Sequence, residues 1–215
     1  MQSKRILELE IAKELLKIEA VKLSPAHPFV WASGLRSPIY CDNRLTLSYP
    51  NTRNLIKKSL VQLSQSFDTF DSVSGVATAG IAHGALLADG LNKPFSYIRS
   101  SAKSHGRQNQ IEGVVKPHEK ILVVEDLIST GKSSLEAVEC LRNAGALVVG
   151  VIAIFNYEFP SAIENFDQAQ CEFRTLSNYS ALLSVALETG YIKSENFDTL
   201  KIWKENPEAW SLNHN

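Results

Sequence analysis

Apolar and polar positions alternate along this chain with spacings that switch repeatedly between the helix period and the strand period. The first block predicts an amphipathic helix near residues 3–20, whose apolar side carries Ile6, Leu7, Ile11, Leu15 and Ile18. Further blocks predict helices at 51–65 and 81–91, strands at 71–78, 95–98, 121–125 and 146–155, and a helix–strand–helix tail. Such alternation predicts an α/β domain with a mainly parallel central sheet flanked by helices.

Two stretches interrupt the alternation. Residues 21–40 are punctuated by Pro25, Pro28 and Gly34, which predicts an irregular, hairpin-like segment. Residues 99–113 have almost no apolar anchors, which is typical of a mobile loop. No internal linker is visible, so a single domain is expected over 1–215. Within it we expect a core at 70–155 and a small cap over the sheet's carboxyl edge, built from about 1–45 and the C-terminal tail.

Composition excludes several classes of protein. The chain has 22 Lys and Arg against 23 Asp and Glu, so no overall field attracts nucleic acid. Three cysteines, Cys41, Cys140 and Cys171, are widely spaced and fit a reducing compartment better than a disulfide framework. The most apolar run, Ala146–Phe155, is too short to cross a bilayer. We therefore expect a cytoplasmic protein with no membrane or nucleic-acid partner.

The most informative motif is ILVVEDLISTGKSS, at Ile121–Ser134. A buried strand leads into Glu125 and Asp126, and a small-residue turn then opens an amphipathic helix. Backbone N–H groups and hydroxyls of such a turn suit a phosphate, and the carboxylates can accept hydrogen bonds from vicinal ribose hydroxyls. The P-loop pattern is excluded because Asp126 stands where its first Gly belongs. The alternative is an ordinary βα unit with a capped helix, but paired acids beside a hydroxyl-and-glycine turn are unusual without a ligand.

This stretch resembles the 5-phosphoribosyl-1-pyrophosphate (PRPP) signature of type I phosphoribosyltransferases. The resemblance implies the type I phosphoribosyltransferase fold, with the cap as its N-terminal hood. It also implies Mg²⁺ held mainly by PRPP and water, without a dedicated protein metal site. The PRPP-binding residues implied within the signature are Glu125, Asp126, Leu127, Ile128, Ser129, Thr130, Gly131, Lys132 and Ser133.

The polar loop RSSAKSHGRQNQIEG resembles the catalytic loop of orotate phosphoribosyltransferases. In that family a loop Lys and His reach across a dimer interface to the pyrophosphate in the neighbouring subunit. The resemblance assigns these catalytic roles to Lys103 and His105, assigns pyrophosphate binding to Arg99, and implies a homodimer. One departure is Ser100, where many members carry a Lys.

The segment FVWASGLRSPIYCDNR, at Phe29–Arg44, resembles the same family's orotate-binding hairpin. A planar anionic pyrimidine needs a flat wall and a cation for its carboxylate. The resemblance places orotate against Ile39, Tyr40, Arg44 and Ser129, with Arg36 as the alternative cation and a purely structural role for Arg44 left open. Basic residues of some relatives are replaced by Ala32 and by Asn156–Tyr157.

The turn GVATAGIAHG resembles the family's pyrophosphate-binding loop, in which backbone amides of Thr78, Ala79 and Gly80 meet the pyrophosphate. A plain tight turn between strand and helix explains this sequence equally well, and a Lys of some relatives is Ala79 here. His83 is expected on the helix surface or in the core, without a catalytic partner.

The resemblance to the orotate phosphoribosyltransferases spans nearly the whole chain in the same order, and it implies the conversion of orotate and PRPP into orotidine 5'-monophosphate and pyrophosphate. In this interpretation Glu125 and Asp126 are catalytic, with Asp126 a candidate base. Two alternatives stay open: a type I enzyme acting on uracil or a purine, and a non-catalytic PRPP-sensing regulator of nucleotide genes. The hairpin and the polar loop favour orotate, and the balanced charge disfavours the regulator.

Overall fold

The computed structural model describes residues 2–31, 33–100 and 110–214, and a six-stranded sheet lies at its centre. The strands are β1 (Val21–Leu23), β2 (Phe29–Val30), β3 (Arg36–Ser37), β4 (Ile39–Cys41), β5 (Ser72–Val76), β6 (Phe95–Ile98), β7 (Ile111–Glu112), β8 (Lys120–Ile128), β9 (Leu147–Asn156) and β10 (Phe173–Asn178). The central sheet has the order β10-β9-β8-β5-β6-β7. All its neighbours are parallel except the pair β6 and β7. The predicted α/β class with a mainly parallel sheet is confirmed.

Helices cover both faces of the sheet. They are α1 (Gln2–Lys17), α2 (Pro50–Ser64), α3 (Ala79–Leu91), α4 (Lys132–Asn143), α5 (Pro160–Gln168), α6 (Tyr179–Glu188), α7 (Phe197–Glu205) and α8 (Pro207–Leu212), with 3-10 helices at Asn43–Ser48 and Ser194–Asn196. Helices α1, α2, α3 and α6 pack on one face, together with Leu122 and Val124 of β8. Helices α4 and α5 pack on the other face, together with Ile121 and Val123. Strand β8 is therefore buried on both sides, which explains its continuous apolar run.

Strand β8 extends further than its apolar run predicts. The predicted strand ended at Glu125, whereas β8 continues to Ile128. The extension exists because β9 continues beside it and pairs Leu127 with Phe155 and Ile128 with Asn156. Consequently the acidic pair lies within the strand and not after it.

The hairpin formed by β2 and β3 packs against the C-terminal helices α7 and α8. Strands β2 and β3 pair over only two residues each, so their own ladder holds them weakly. The Arg36 N–H donates to Ser211 Oγ of α8 at 2.9 Å. Trp31 stacks on Tyr157 with ring centroids 5.6 Å apart and meets Trp203 of α7 edge-on at 5.9 Å. These contacts seat the hairpin near the carboxyl ends of β8 and β9.

Most other predicted elements lie within a few residues of their expected positions, and β6 matches its prediction at both ends. Three expectations were wrong. Ile6 was expected on the buried side of α1 but is 61% exposed. The tail contains α7 and α8 in addition to its predicted helix, strand and helix. Part of the predicted loop at 99–113 is strand β7, which pairs with β6.

Cys41, Cys140 and Cys171 are all free thiols. Burial raises the pKa of Cys41 well above its usual range, which disfavours a nucleophilic role. Within residues 2–31, 33–100 and 110–214, no helix combines the length and the apolar character that crossing a bilayer requires.

Candidate active site

The two acids of the signature lie in the second half of β8, toward the carboxyl edge of the sheet. Glu125 is only 5% exposed. One of its carboxyl oxygens accepts hydrogen bonds from Ser133 Oγ at 3.2 Å and Ser134 Oγ at 3.4 Å. The other oxygen accepts from the N–H of Asp126 at 3.1 Å. The acidic pair is thereby connected directly to the first turn of α4.

Burial governs the protonation of this pair. It raises the pKa of Glu125 to about 8, and the neighbouring charge of Asp126 acts in the same direction. Burial also raises the pKa of Asp126, although hydrogen bonds and the positive charge of Arg44 oppose that rise. Two adjacent buried carboxyl groups do not ionise independently. Near neutral pH the pair in the free site therefore keeps a proton.

The turn after β8 has the backbone geometry of an anion cradle. Gly131 precedes α4 with a φ of +82°, and a Cβ atom there would lie 2.5 Å from the ring of Phe166. Asn165 Nδ2 donates to the Thr130 carbonyl at 2.9 Å and holds the turn against α5. The N–H groups at the start of a helix favour phosphate binding. Lys132 is 83% exposed, with its Nζ 4.0 Å from Glu136 Oε1.

The N-terminus of α3 reaches the acidic pair from the adjoining strand. A Cβ atom on Gly80 would collide with the Val124 carbonyl oxygen and lie 3.3 Å from Glu125 Cα, so only glycine permits this approach. Thr78 and Ala79 lie in the same turn, beside β8.

Arg99 and Ser133 border one small cavity of about 40 Å³. Arg99 Nη1 lies 3.6 Å from Glu112 Oε1 across the start of the predicted loop. The structure thus places Arg99 near the first turn of α4. The predicted catalytic-loop residues Lys103 and His105 lie in residues 101–109, outside the described residues, as does Ala32.

The hairpin residues predicted to bind orotate differ in exposure. Tyr40 is 43% exposed and packs against Phe29 with centroids 5.7 Å apart, so it offers an aromatic surface. Ile39 is fully buried, and its carbonyl accepts hydrogen bonds from Trp31 Nε1 and Ser37 Oγ. Its side chain therefore contributes to the core, and Tyr40 is the exposed aromatic wall.

Arg44 is held by its neighbour Asp42 in a bidentate ion pair. Nε and Nη2 of Arg44 lie 2.7 and 2.9 Å from the two oxygens of Asp42. This pair raises the pKa of Arg44, although the guanidinium is already charged at any ordinary pH. A guanidinium has five N–H donors, so the Asp42 contact leaves donors for a second anion.

Sequence reasoning missed Asn43 as a site residue. It is fully buried, and its Nδ2 donates to the Asp126 carbonyl at 2.8 Å. The D-N-R triplet draws attention to Arg44, but nothing local indicates that its Asn contacts a residue 83 positions away. His83, left between surface and core by the sequence, is fully buried.

The donor set at the site is compatible with Mg²⁺ held chiefly by substrate. Carboxylate oxygens are ligands that Mg²⁺ prefers, and Asp126, which is half-buried, lies just before the phosphate turn along the chain. Among the described residues, no cluster of three or more His, Cys, Asp or Glu side chains forms a cage for a metal ion.

Comparison with known proteins gives a consistent result. The family model for the phosphoribosyl transferase domain matches residues 47–174. The orotate phosphoribosyltransferase of Porphyromonas gingivalis is 49% identical over 203 residues, which are 94% of this chain and 97% of that protein. That of Bacteroides thetaiotaomicron is 53% identical over 205 residues, which are 95% of this chain and 97% of that protein.

Solved structures agree. The crystal structure of orotate phosphoribosyltransferase from Aeropyrum pernix superposes with a TM-score of 0.73 at 28% identity, covering 85% of this chain and 99% of that one. Strand order, acidic pair, phosphate turn and near-complete coverage by relatives of about half-identical sequence converge on one assignment. The chain belongs to the orotate phosphoribosyltransferases, within the phosphoribosyltransferase family.

Proposed function

We propose that this protein transfers the 5-phosphoribosyl group from PRPP to orotate, giving orotidine 5'-monophosphate and pyrophosphate. The observation that carries the proposal is the largely buried acidic pair, hydrogen-bonded to the first turn of α4 and, through Asn43, to the segment Phe29–Arg44 that carries Tyr40 and Arg44. One site therefore combines backbone N–H groups for a phosphate, carboxyl oxygens for the ribose hydroxyls, and the side chains of Tyr40 and Arg44 for the base.

In this proposal the turn from Ser129 to Ser133 binds the 5'-phosphate, which fixes the position of the anomeric carbon. Gly131 lies within this turn, at the N-cap of α4, and the backbone N–H groups of the turn and of the start of α4 would bind the anion. Leu127 and Ile128 contribute backbone at the strand end. Lys132 is exposed and lies beside Glu136, which favours a solvent-facing role.

Glu125 and Asp126 orient the ribose hydroxyls and lie close to the positive charge that develops on the ribosyl group. The bond from the anomeric carbon to pyrophosphate breaks as the bond to orotate nitrogen forms on the opposite face, and the nitrogen loses its proton. Asp126 is the candidate acceptor of that proton. A carboxylate fixed beside a developing cation stabilises the transition state without reorganising.

The leaving pyrophosphate is assigned to the N–H groups of Thr78, Ala79 and Gly80 and to Arg99, with Lys103 and His105 contributed by the neighbouring subunit of a homodimer. The proximity of Gly80 to Glu125 supports this placement. Mg²⁺, bound mainly by PRPP oxygens and water with Glu125 and Asp126 nearby, would neutralise the developing charge on pyrophosphate.

Orotate is placed between Tyr40 and Ser129, with its carboxylate on Arg44. Tyr157 stands where some relatives carry a basic residue, and here it is buried against Trp31, so the carboxylate needs another cation. Arg44 supplies one near Asp126, where its charge opposes the rise in pKa that burial causes. The three free cysteines suit a reaction in the reducing cytoplasm.

The test follows orotate absorbance in the presence of PRPP and Mg²⁺, with uracil, hypoxanthine and adenine assayed separately. We expect consumption of orotate matched by pyrophosphate release, and little reaction of the other bases. Turnover of uracil or a purine instead would support the alternative type I enzyme. PRPP binding with no turnover of any base would refute the enzyme and favour the PRPP-sensing regulator.

A further inference from the structure

Asn43 connects the base-binding hairpin, which is the segment Phe29–Arg44, to the acidic pair. It begins the 3-10 helix that follows β4, it is fully buried, and its Nδ2 donates to the Asp126 carbonyl at 2.8 Å. In the described part of the chain its Oδ1 accepts no hydrogen bond. The bond to Asp126 is therefore the contact that orients this amide among the described residues.

The Asp126 carbonyl lies in the part of β8 that extends beyond the pairing with β5. Pairing between β5 and β8 ends at Gly75 opposite Val124, whereas pairing with β9 continues to Ile128 opposite Asn156. The Asn43 amide takes the place that a further residue of β5 would fill. A part-buried carbonyl that loses its donor costs free energy, so the orientation of the peptide after Asp126 depends on Asn43.

A third segment meets the same junction. His83 is fully buried on α3, whose N-terminus is the turn assigned to pyrophosphate, and α3 packs against the 3-10 helix. Burial lowers the pKa of His83 to about 4, so the ring is neutral near neutral pH. His83 therefore places no positive charge near Asn43 that would attract the carboxyl groups of the acidic pair.

We propose that Asn43 is a positioning residue that holds Asp126 in register with the base-binding hairpin. It acts through the Asp126 backbone and touches neither substrate. This role rests on the proposed function, because it matters only if Asp126 serves the ribose while the hairpin serves the base. A small displacement between those groups lowers turnover steeply, whereas PRPP remains anchored by its phosphates.

The test compares Asn43→Ala and Asn43→Asp with the matched control Thr46→Val. Thr46 is fully buried in the same 3-10 helix and donates to the Asn43 carbonyl at 2.6 Å, but it does not bond to β8. For each variant we would measure Tm, PRPP affinity by calorimetry, and kcat and KM with orotate. Asn43→Asp keeps the side-chain size, so it provides the test should the alanine variant fail to fold.

We expect both Asn43 variants to lose about 10- to 100-fold in kcat while PRPP affinity stays within about threefold. Thr46→Val should lower Tm comparably yet keep kcat within about threefold of the parent. A folded Asn43 variant with parental kcat would overturn the inference, as would an equal loss of kcat in Thr46→Val. If the parent protein turns over no orotate, the proposed function falls and this role falls with it.

Discussion

Replacing Glu125 by Gln should make the ligand-free protein more stable at alkaline pH while impairing its activity. Glu125 is 5% exposed, and burial together with the charge of Asp126 raises its pKa from 4.5 to about 8. In the unfolded chain the carboxyl ionises at its ordinary pKa. Between these two values the folded state therefore keeps a proton that the unfolded state has released.

The sign and size of the effect follow from proton linkage. The free energy of unfolding falls with rising pH wherever the folded state binds more protons than the unfolded state. A single proton gives a slope of about 1.4 kcal/mol per pH unit, which sums to at most about 4 kcal/mol between pH 5 and pH 8. The substituted glutamine would carry no charge to bury, and its amide oxygen would still accept a hydrogen bond from Ser133 or Ser134.

Urea unfolding at pH 5, 6, 7 and 8 measures this difference directly. The stability of Glu125→Gln relative to the parent should grow by about 2–4 kcal/mol across the range. The control Glu139→Gln removes an exposed carboxylate on α4, and its difference from the parent should stay constant. Parallel curves for Glu125→Gln and the parent would refute the reasoning, since they would mean that Glu125 is ionised in the folded protein at neutral pH. Activity of this variant should fall at least about tenfold, because an acceptor for ribose is weakened.

Three further predictions concern the remaining parts of the site. Gly131→Ala should weaken PRPP binding at least about tenfold by calorimetry, because the new Cβ meets Phe166. The control Gly190→Ala has a similar backbone strain but open space around it, and an equal loss of PRPP affinity in both variants would contradict this reasoning. Ser211→Ala removes the acceptor of the Arg36 N–H and should raise the KM for orotate several-fold while the KM for PRPP holds; an unchanged orotate KM would contradict the packing argument. Lys103→Ala should lower kcat more than PRPP affinity, and a loss confined to affinity would exclude its assigned role.

The sheet was predictable from the sequence because its central strands are buried on both faces. Runs such as Ile121–Val124 and Val151–Phe155 are apolar without alternation, and helical periods separate them. Strand ends were less predictable, since they depend on partners elsewhere in the chain. Nothing in Leu127 or Ile128 indicates that β9 continues beside them.

The residues of the site also differ in how well the sequence predicts them. Glu125, Asp126 and the phosphate turn are contiguous, so their chemistry is readable from one stretch of sequence. Contacts such as those of Asn43 with Asp126 and of Trp31 with Tyr157 join residues distant along the chain, and no local pattern encodes them. The raised pKa of Glu125 likewise depends on burial that only the folded sheet provides.

The seating of the hairpin against α7 and α8 has a consequence for synthesis on the ribosome. The phosphate turn and the strands around the acidic pair use residues from 72 to 168, including Asn165 and Phe166 of α5, and these leave the ribosomal tunnel before the tail. Trp31 and Arg36 can make their contacts with Trp203 and Ser211 only after those residues have been synthesised. Ser211 lies 175 positions after Arg36. A nascent chain can therefore assemble its phosphate-binding half early, but its base-binding half acquires its shape only once the last helices have emerged.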